Sequence, residues 1–482
     1  LHNMEKIKFP EPDDILKEKS SIKKYLKYLF FFGPGAVIAS VTVGQGQLIL
    51  GPQIGAIVGY KLLWLITVSA GSYFLAYLSA RFVLLSGISM VDLFAVKTKK
   101  GFLNWIFIII ILIFVPMFAA SIITTLGKTL QWILGIGHYL FWGILFGILA
   151  ALLVVLGRYR VVEYTQAFFV AVLAIGAIVS VIMIKPNLLD IIPNFFKIGY
   201  TPKQYPQWVL DYFESIGENP KPIPLIMLGY IGTLTVTIVT FVSYTGWVKI
   251  KRWGIFKDKN NPEEFSRNLF NIFKKEGRIN YLPKSKEEIK KAKLLLKPIA
   301  VDITLAFIIV AVVSSAYMIA GANLLPQIKK LPTDYHLIEE QAIIFSNIAS
   351  WLKPLYQVSV FFALFGTVYA GFEAVSRMLY ETMAAVSKKI EKIPYNSFTI
   401  YLLIYVLSTG IPLAILGAMG ISIILMLSIT LLFIGVIGVI IYGMGALYLS
   451  QKVLPKEYRI GIAGLIAGII SIILLIIPLL ML

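Results

Sequence analysis

The sequence predicts an all-α polytopic membrane protein. Of its 482 residues, 58% are hydrophobic and only 14% are charged, against about 45–50% and about 25% in an ordinary soluble domain. Mean hydropathy is +0.83. Apolar runs of roughly 20 residues, each long enough to cross a bilayer as a helix, recur from end to end. These observations exclude a cytosolic enzyme, a disordered chain and a secreted disulfide scaffold. The chain has no cysteine, which removes thiol catalysis, disulfides and thiolate metal sites together. Three histidines, His2, His138 and His336, leave no His-rich metal site. There is no phosphate-binding loop, no His-Glu-x-x-His and no nucleophile elbow, so neither ATP-driven pumping nor an enzyme is supported and no cofactor is expected.

Eleven spans follow in order: 30–57, 61–87, 102–128, 137–157, 162–184, 222–247, 298–322, 353–386, 397–418, 420–449 and 459–482. Residues 1–29 form a polar N-terminal segment, and 30–184 hold five spans. Residues 185–221 form a loop on the opposite face. A second set of five occupies 222–418 with 420–449, and 459–482 is an eleventh helix. With the N-terminus in the cytoplasm, roughly 35 of the 44 lysines and arginines lie inside, as the positive-inside rule requires of a plasma-membrane protein. An odd span count then puts the C-terminus outside. The most basic stretch, 248–297 (KIKRWGIFKDKN, then KSKEEIKKAK), reads as a cytoplasmic loop that obeys topology and touches anionic lipid headgroups. Nucleic acid is not expected there, because no Cys/His finger or RNA-binding aromatic motif accompanies the charge. Tyr205, Trp208 and Tyr212 in the outer loop suit an interfacial or capping role.

The first span reads FFGPGAVIASVTVGQGQLILGPQIGAIVGY, and its centre is Gly44-Gln45-Gly46-Gln47. Two glycines remove helix preference, and two amides sit where hydrocarbon would penalise them. That pairing predicts an unwound segment whose backbone lines a cavity or meets a ligand. Close helix–helix packing of the Gly-xxx-Gly kind is the alternative. Five spans later, PLIMLGYIGTLTVTIVTFVSYTGW crowds Thr233, Thr235, Thr237 and Thr240 behind Gly229 and Gly232. Such hydroxyls bond either a ligand or their own helix carbonyls. Interrupted helices at corresponding places in two five-span halves are the signature of inverted-repeat transporters.

Few ionisable residues lie inside the spans. Glu373 and Arg377 in the eighth are four apart on one face and can neutralise each other or serve a gate or coupling site. Asp302 and Glu163 stand at the inner starts of the seventh and fifth spans, as boundary charges or as arms of an inner-gate salt bridge. Ser314 and Ser315 in the seventh span face either the cavity or a neighbouring helix.

The stretch GPGAVIAS…GQGQLILGPQIGAIVGYKLLWL resembles the start of the Nramp family of divalent metal transporters, as do GRYRVVEYTQ at 157–166 and LGYIGT at 228–233. The resemblance implies the LeuT-type fold, two inverted five-helix repeats plus an eleventh helix, with spans one and six discontinuous. Aligning on Gly59-Tyr60 places Gly44, Gln45, Gly46 and Gln47 at the family's Asp-Pro-Gly-Asn. The family's metal-binding Ala-x-x-Met falls on Thr233 and Val236, and the histidine that follows falls on Ile238. Its acidic pair in the third span falls on Ser121 and Thr124. A divalent transition metal wants a carboxylate and is selected by a thioether, and proton coupling needs a group that titrates.

The expectation is therefore a secondary transporter working by alternating access. Its small solute or ion would sit among Gly44, Gln45, Gly46, Gln47, Thr233, Val236 and Thr237, and any metal would use that same pocket. Glu373, Arg377, Asp302 and Glu163 are the gating or coupling candidates. With no fixed charge in the pocket, a proton-coupled transition metal is not the expected cargo. The alternative is a receptor or scaffold that kept the fold and does not transport.

Overall fold

The computed structural model describes residues 7–481 except 20, 29, 30, 158, 334, 335 and 337, and, of the described residues, not the side chains of 25, 26, 28, 45, 159–163, 165–167, 169 and 170. Among the described residues the chain is helical, with no strand. Nine helical runs there are long and apolar enough to cross a membrane. The first span, in shorter pieces, and the helix Tyr159–Ile184 stand beside them.

Burial sorts these helices into a centre and a rim. The most apolar window of the sixth span is 94% buried, whereas those of the fourth, ninth and eleventh spans are only 22–28% buried. Apolar side chains such as Ile109, Leu152, Ile404 and Ile473 stand exposed on the outer helices, as expected where lipid rather than protein covers them. Tyr230, Tyr244, Trp247 and Tyr317 fill the middle.

Boundaries follow local chemistry. The second span, Trp64–Ser86, ends on Gly87 at φ 75°, and the third, Phe102–Leu134, ends on Gly135 at φ 68°, a left-handed position that a side chain would strain. The third span outlasts the expected 102–128 because Lys128 and Gln131, though polar, favour helix, and nothing breaks it before that glycine. At about 1.5 Å per residue it is longer than a ~30 Å hydrocarbon core requires. Beyond the fifth span the chain turns by 115° into Leu188–Phe195, at Lys185 (φ 50°) and the following Pro186.

The basic stretch 248–297 is not an open loop. Asn261 caps the helix Pro262–Glu276, whose Leu269, Phe270 and Phe273 are buried, and Ser285 caps Lys286–Leu295. Tyr281 between them donates to the Ser86 carbonyl at the foot of the second span (2.6 Å). The N-terminal segment packs on this layer: Ile7 N donates to Tyr281 O at 3.0 Å, Phe9 N donates to Glu288 at 2.6 Å, and Lys257 pairs with Asp13 at 2.6 Å. Reading charge density alone hides these helices, because only one narrow side of each is apolar.

Candidate functional site

The first span runs as the helix Pro34–Thr42, a π-helical turn at Val43–Gln47, a further turn over 48–50, and the helix Gly51–Val58. The expected unwinding is thus a widening. Leu48 N donates to Val43 O at 3.2 Å, and Leu50 N donates to Gly46 O at 2.7 Å, so the Gly46 carbonyl is engaged within the chain. Two glycines loosen the α-turn, and Pro52 offers no N–H to the Leu48 carbonyl, so the regular ladder cannot resume until past that point.

The sixth span breaks outright. Ile223–Leu234 and Ile238–Ile250 are joined by three residues, with Thr235 (ψ 154°) and Thr237 (ψ 162°) extended. The break is held by bonds to its neighbours. Val236 N donates to Ser72 Oγ of the second span at 3.0 Å, and Thr237 Oγ1 caps the lower helix by accepting from Thr240 N at 3.3 Å. Thr235 Oγ1 donates to Gly435 O at 2.6 Å. Gly435 lies in a second π-helical stretch, Leu432–Ile437, in the tenth span. Two rare wide turns therefore flank one break, and π-turns concentrate at functional sites.

The two interruptions meet. Tyr230 OH donates to Gln47 Oε1 at 3.1 Å, and Gln47 Nε2 reaches Thr233 Oγ1 at 3.4 Å. Thr233 Oγ1 donates in turn to Tyr230 O at 2.7 Å. Gln47 and Thr233 are fully buried, and Val236 and Thr237 nearly so. The glycines permit the contact. A Cβ on Gly46 would stand 2.1 Å from Thr233 Cβ, and one on Gly44 would stand 1.9 Å from Thr367 Oγ1 of the eighth span. The side chain of Gln45 lies outside the described residues. The cluster is an amide, hydroxyls and a phenol, all neutral. Among the described residues no group of three or more His, Asp or Glu could hold a metal ion. Such a site offers oxygen acceptors and dipoles, without charge neutralisation for a stripped dication.

The charged candidates lie toward the lysine-rich face. Asp302 is fully buried. Its carboxylate accepts from Gly33 N, Gly35 N and Tyr244 OH, each at 2.8 Å. It thereby ties the seventh span to the start of the first and to the lower half of the sixth. Glu373 pairs with Arg377 at 2.9 Å and accepts from Trp247 Nε1 of the sixth span at 2.8 Å. Both members of the pair line a cavity of about 440 Å3 with Tyr369, Tyr395 and Asn396. Below it, Lys249 at the end of the sixth span pairs with Glu381 (3.3 Å) and Glu263 (3.7 Å). Lys249 holds the Glu263 carboxyl below its ordinary 4.5, against the opposing effect of burial. The side chain of Glu163 lies outside the described residues. Ser315 bonds its own helix at Ala311 O (2.6 Å), while Ser314 Oγ and Tyr317 OH in the same span are buried without a hydrogen-bond partner among the described residues.

Reading the sequence for glycine, amide and threonine passed over Tyr230, Thr367 and Tyr317, the Lys249–Glu381–Glu263 cluster and the π-turn in the tenth span. Tyr230 and Glu381 sit inside stretches singled out for other residues. The tenth-span turn is marked in sequence only by Gly435 and Gly438.

The natural resistance-associated macrophage protein-like (Nramp) family model matches residues 35–482. A divalent metal cation transporter, MntH, from Latilactobacillus sakei is 29% identical over 171 residues, and the match spans 34% of this chain and 36% of that relative. Among solved structures, a manganese transporter from Eremococcus coleocola superposes with a TM-score of 0.63 at 13% identity, covering 96% of this chain and 88% of that one. A nucleobase-cation-symport-1 family transporter in a closed conformation gives 0.51 at 13% identity, over 90% and 80% of the two chains. At these identities the structures establish a shared fold, that of the LeuT-type transporters.

Proposed function

The chain belongs to the Nramp family, and from that premise we propose that it is a secondary-active transporter. It alternates access around the π-turned first span and the broken sixth. The observation that carries this reading is the Tyr230–Gln47–Thr233 linkage, which joins the two interruptions at one buried point. A packing role for the glycines alone would leave that buried amide unexplained.

The substrate site comprises Gly44, Gln45, Gly46, Gln47, Thr233, Val236 and Thr237. In the closed arrangement Gln47 and Thr233 satisfy each other, so substrate enters by exchanging those bonds for its own. Two of the proteins named above carry divalent metal or manganese in their names. Here the positions resembling the family's ligands hold neutral or apolar side chains, so the cargo is a small neutral or zwitterionic solute, or a cation that keeps part of its water. Asp302 and the Glu373–Arg377 pair act as ties of the inner gate. We place the lysine-rich face in the cytoplasm of a plasma membrane and the C-terminus outside.

The test is reconstitution into liposomes, with uptake of Mn2+, Mg2+ and amino acids measured with and without a pH gradient, for the wild type and Gln47→Ala. The reading expects a saturable flux that Gln47→Ala abolishes and that a pH gradient does not drive. Saturable proton-driven Mn2+ uptake would overturn the neutral-pocket reading. Absence of any saturable flux would overturn transport and favour a receptor or scaffold.

A further inference from the structure

On the lysine-rich face, away from the spans just described, a cavity of about 710 Å3 opens between three segments: the end of the helix Met90–Lys97, the stretch 277–284, and 452–459 after the tenth span. Six cations line it, Lys97, Arg278, Lys284, Lys452, Lys456 and Arg459, against one carboxylate, Glu457. None of the six forms an ion pair among the described residues. Part of this face behaves differently. Lys249, Lys257, Lys291 and Arg377 all pair with carboxylates. Around the cavity, Lys97 instead lies over the Phe273 ring (5.9 Å), Lys452 over the Tyr448 ring (5.8 Å), and Arg459 Nε donates to Leu454 O (2.9 Å).

The walls are fixed to one another. Tyr458 OH donates to Pro283 O at 2.7 Å, and Arg81 of the second span donates to Tyr458 O at 2.7 Å. The cations are thus gathered by folded segments rather than scattered along a mobile tail. Like charges held together in such excess raise the energy of the folded chain, and an anion with several acceptor oxygens relieves this. The helices beside the cavity present Met444, Tyr448 and Ile462, which are 48%, 65% and 78% exposed. That apolar surface lies where acyl chains would run.

We infer that this pocket binds phosphate groups, presented by the headgroup of an anionic lipid whose tails lie against the tenth and eleventh spans. The chemistry shared with a soluble polyphosphate is the phosphate itself, and the apolar flank selects the lipid.

The test uses the purified full chain in neutral phosphatidylcholine doped with phosphatidylglycerol or cardiolipin. Native mass spectrometry counts the lipid retained. In parallel, inorganic triphosphate is titrated in lipid-free detergent with thermal unfolding as readout. The triple variant Arg278→Gln/Lys284→Gln/Lys452→Gln alters exposed side chains. A second triple, Lys388→Gln/Lys389→Gln/Lys392→Gln, removes equal charge elsewhere on the same face. The expected result is anionic lipid retained by the wild type and the second triple, at least about tenfold less by the first, and weakening with salt. Stabilisation by triphosphate without lipid retention would overturn the lipid assignment. Equal loss in both triples, or no anion bound to the wild type, would overturn the pocket.

Discussion

Replacing Asp302 by asparagine should loosen the start of the first span while leaving the rest of the bundle in place. The carboxylate meets two backbone N–H groups and one phenol, all at 2.8 Å. Asparagine keeps the shape but presents one oxygen and one NH2, so one of the two backbone donors faces another donor. Bonds to a charged acceptor contribute about 1.5–3 kcal/mol, and a buried donor left unmet costs about 1–3 kcal/mol. Tyr244 can turn to accept from the new NH2, which recovers part of this. The net loss is about 2–4 kcal/mol. At about tenfold per 1.4 kcal/mol, amide exchange within residues 33–42 should accelerate by roughly 30- to 700-fold, read by hydrogen–deuterium exchange mass spectrometry in detergent. Tyr244→Phe removes one bond of the three and should give a smaller acceleration of the same segment. Unchanged exchange at 33–42, or equal acceleration across every span, would show that Asp302 does not tie this end of the first span.

Gly44→Ala should destabilise by about 1–3 kcal/mol through overpacking, because its Cβ would stand 1.9 Å from Thr367 Oγ1. Thr367→Ala removes that oxygen and leaves the Ala363 carbonyl oxygen at 3.0 Å and the residue-367 Cβ at 3.2 Å, so the double variant should regain part of the loss. A strictly additive double-mutant cycle in thermal unfolding would count against the contact. Thr235→Val should remove the bond by which Thr235 reaches the Gly435 carbonyl at 2.6 Å, costing about 0.5–1.5 kcal/mol and lowering the melting temperature. Equal melting of wild type and variant would refute that bond's role. Glu263, held below its ordinary 4.5 by Lys249, stabilises the folded chain above that value, and the contribution fades as pH falls through the lowered one. The melting difference between wild type and Glu263→Gln should therefore be present at pH 7 and shrink in acid. A difference that grows on acidification would reverse the assignment.

Much of this architecture was legible because a bilayer imposes its own arithmetic. Run length gave the spans, and lysine placement separated one face from the other. The break in the sixth span was visible in a crowd of threonines behind two glycines, since both residue types weaken a helix locally. The form of the first-span interruption was not. Gly44-Gln45-Gly46-Gln47 reads equally as a coil or a wide turn, and only Pro52, four residues past Leu48, hints at where the ladder fails. The helices Pro262–Glu276 and Lys286–Leu295 were hidden by their charge, although Asn261 before Pro262-Glu263-Glu264 and Gly277 after Glu276 are ordinary start and stop signals. Asp302 read as a boundary charge because sequence places a residue along its own helix, whereas its partners sit in two other spans. Tyr230 and Thr367 escaped for the same reason.

A turn of the kind at Val43–Gln47 stores one residue more than the α-helix around it needs. Sliding that surplus along the rod by a single position swaps which residue is looped out and rotates the intervening side chain by about 100° about the axis. Backbone bonds are traded one for one as it moves, so the rod stays whole. Gln47 closes this bulge, so in the proposed transport cycle it swings from Tyr230 and Thr233 toward an incoming guest without the helix melting. The flanking bulge at Leu432–Ile437, joined through Thr235, gives the partner helix the same slack.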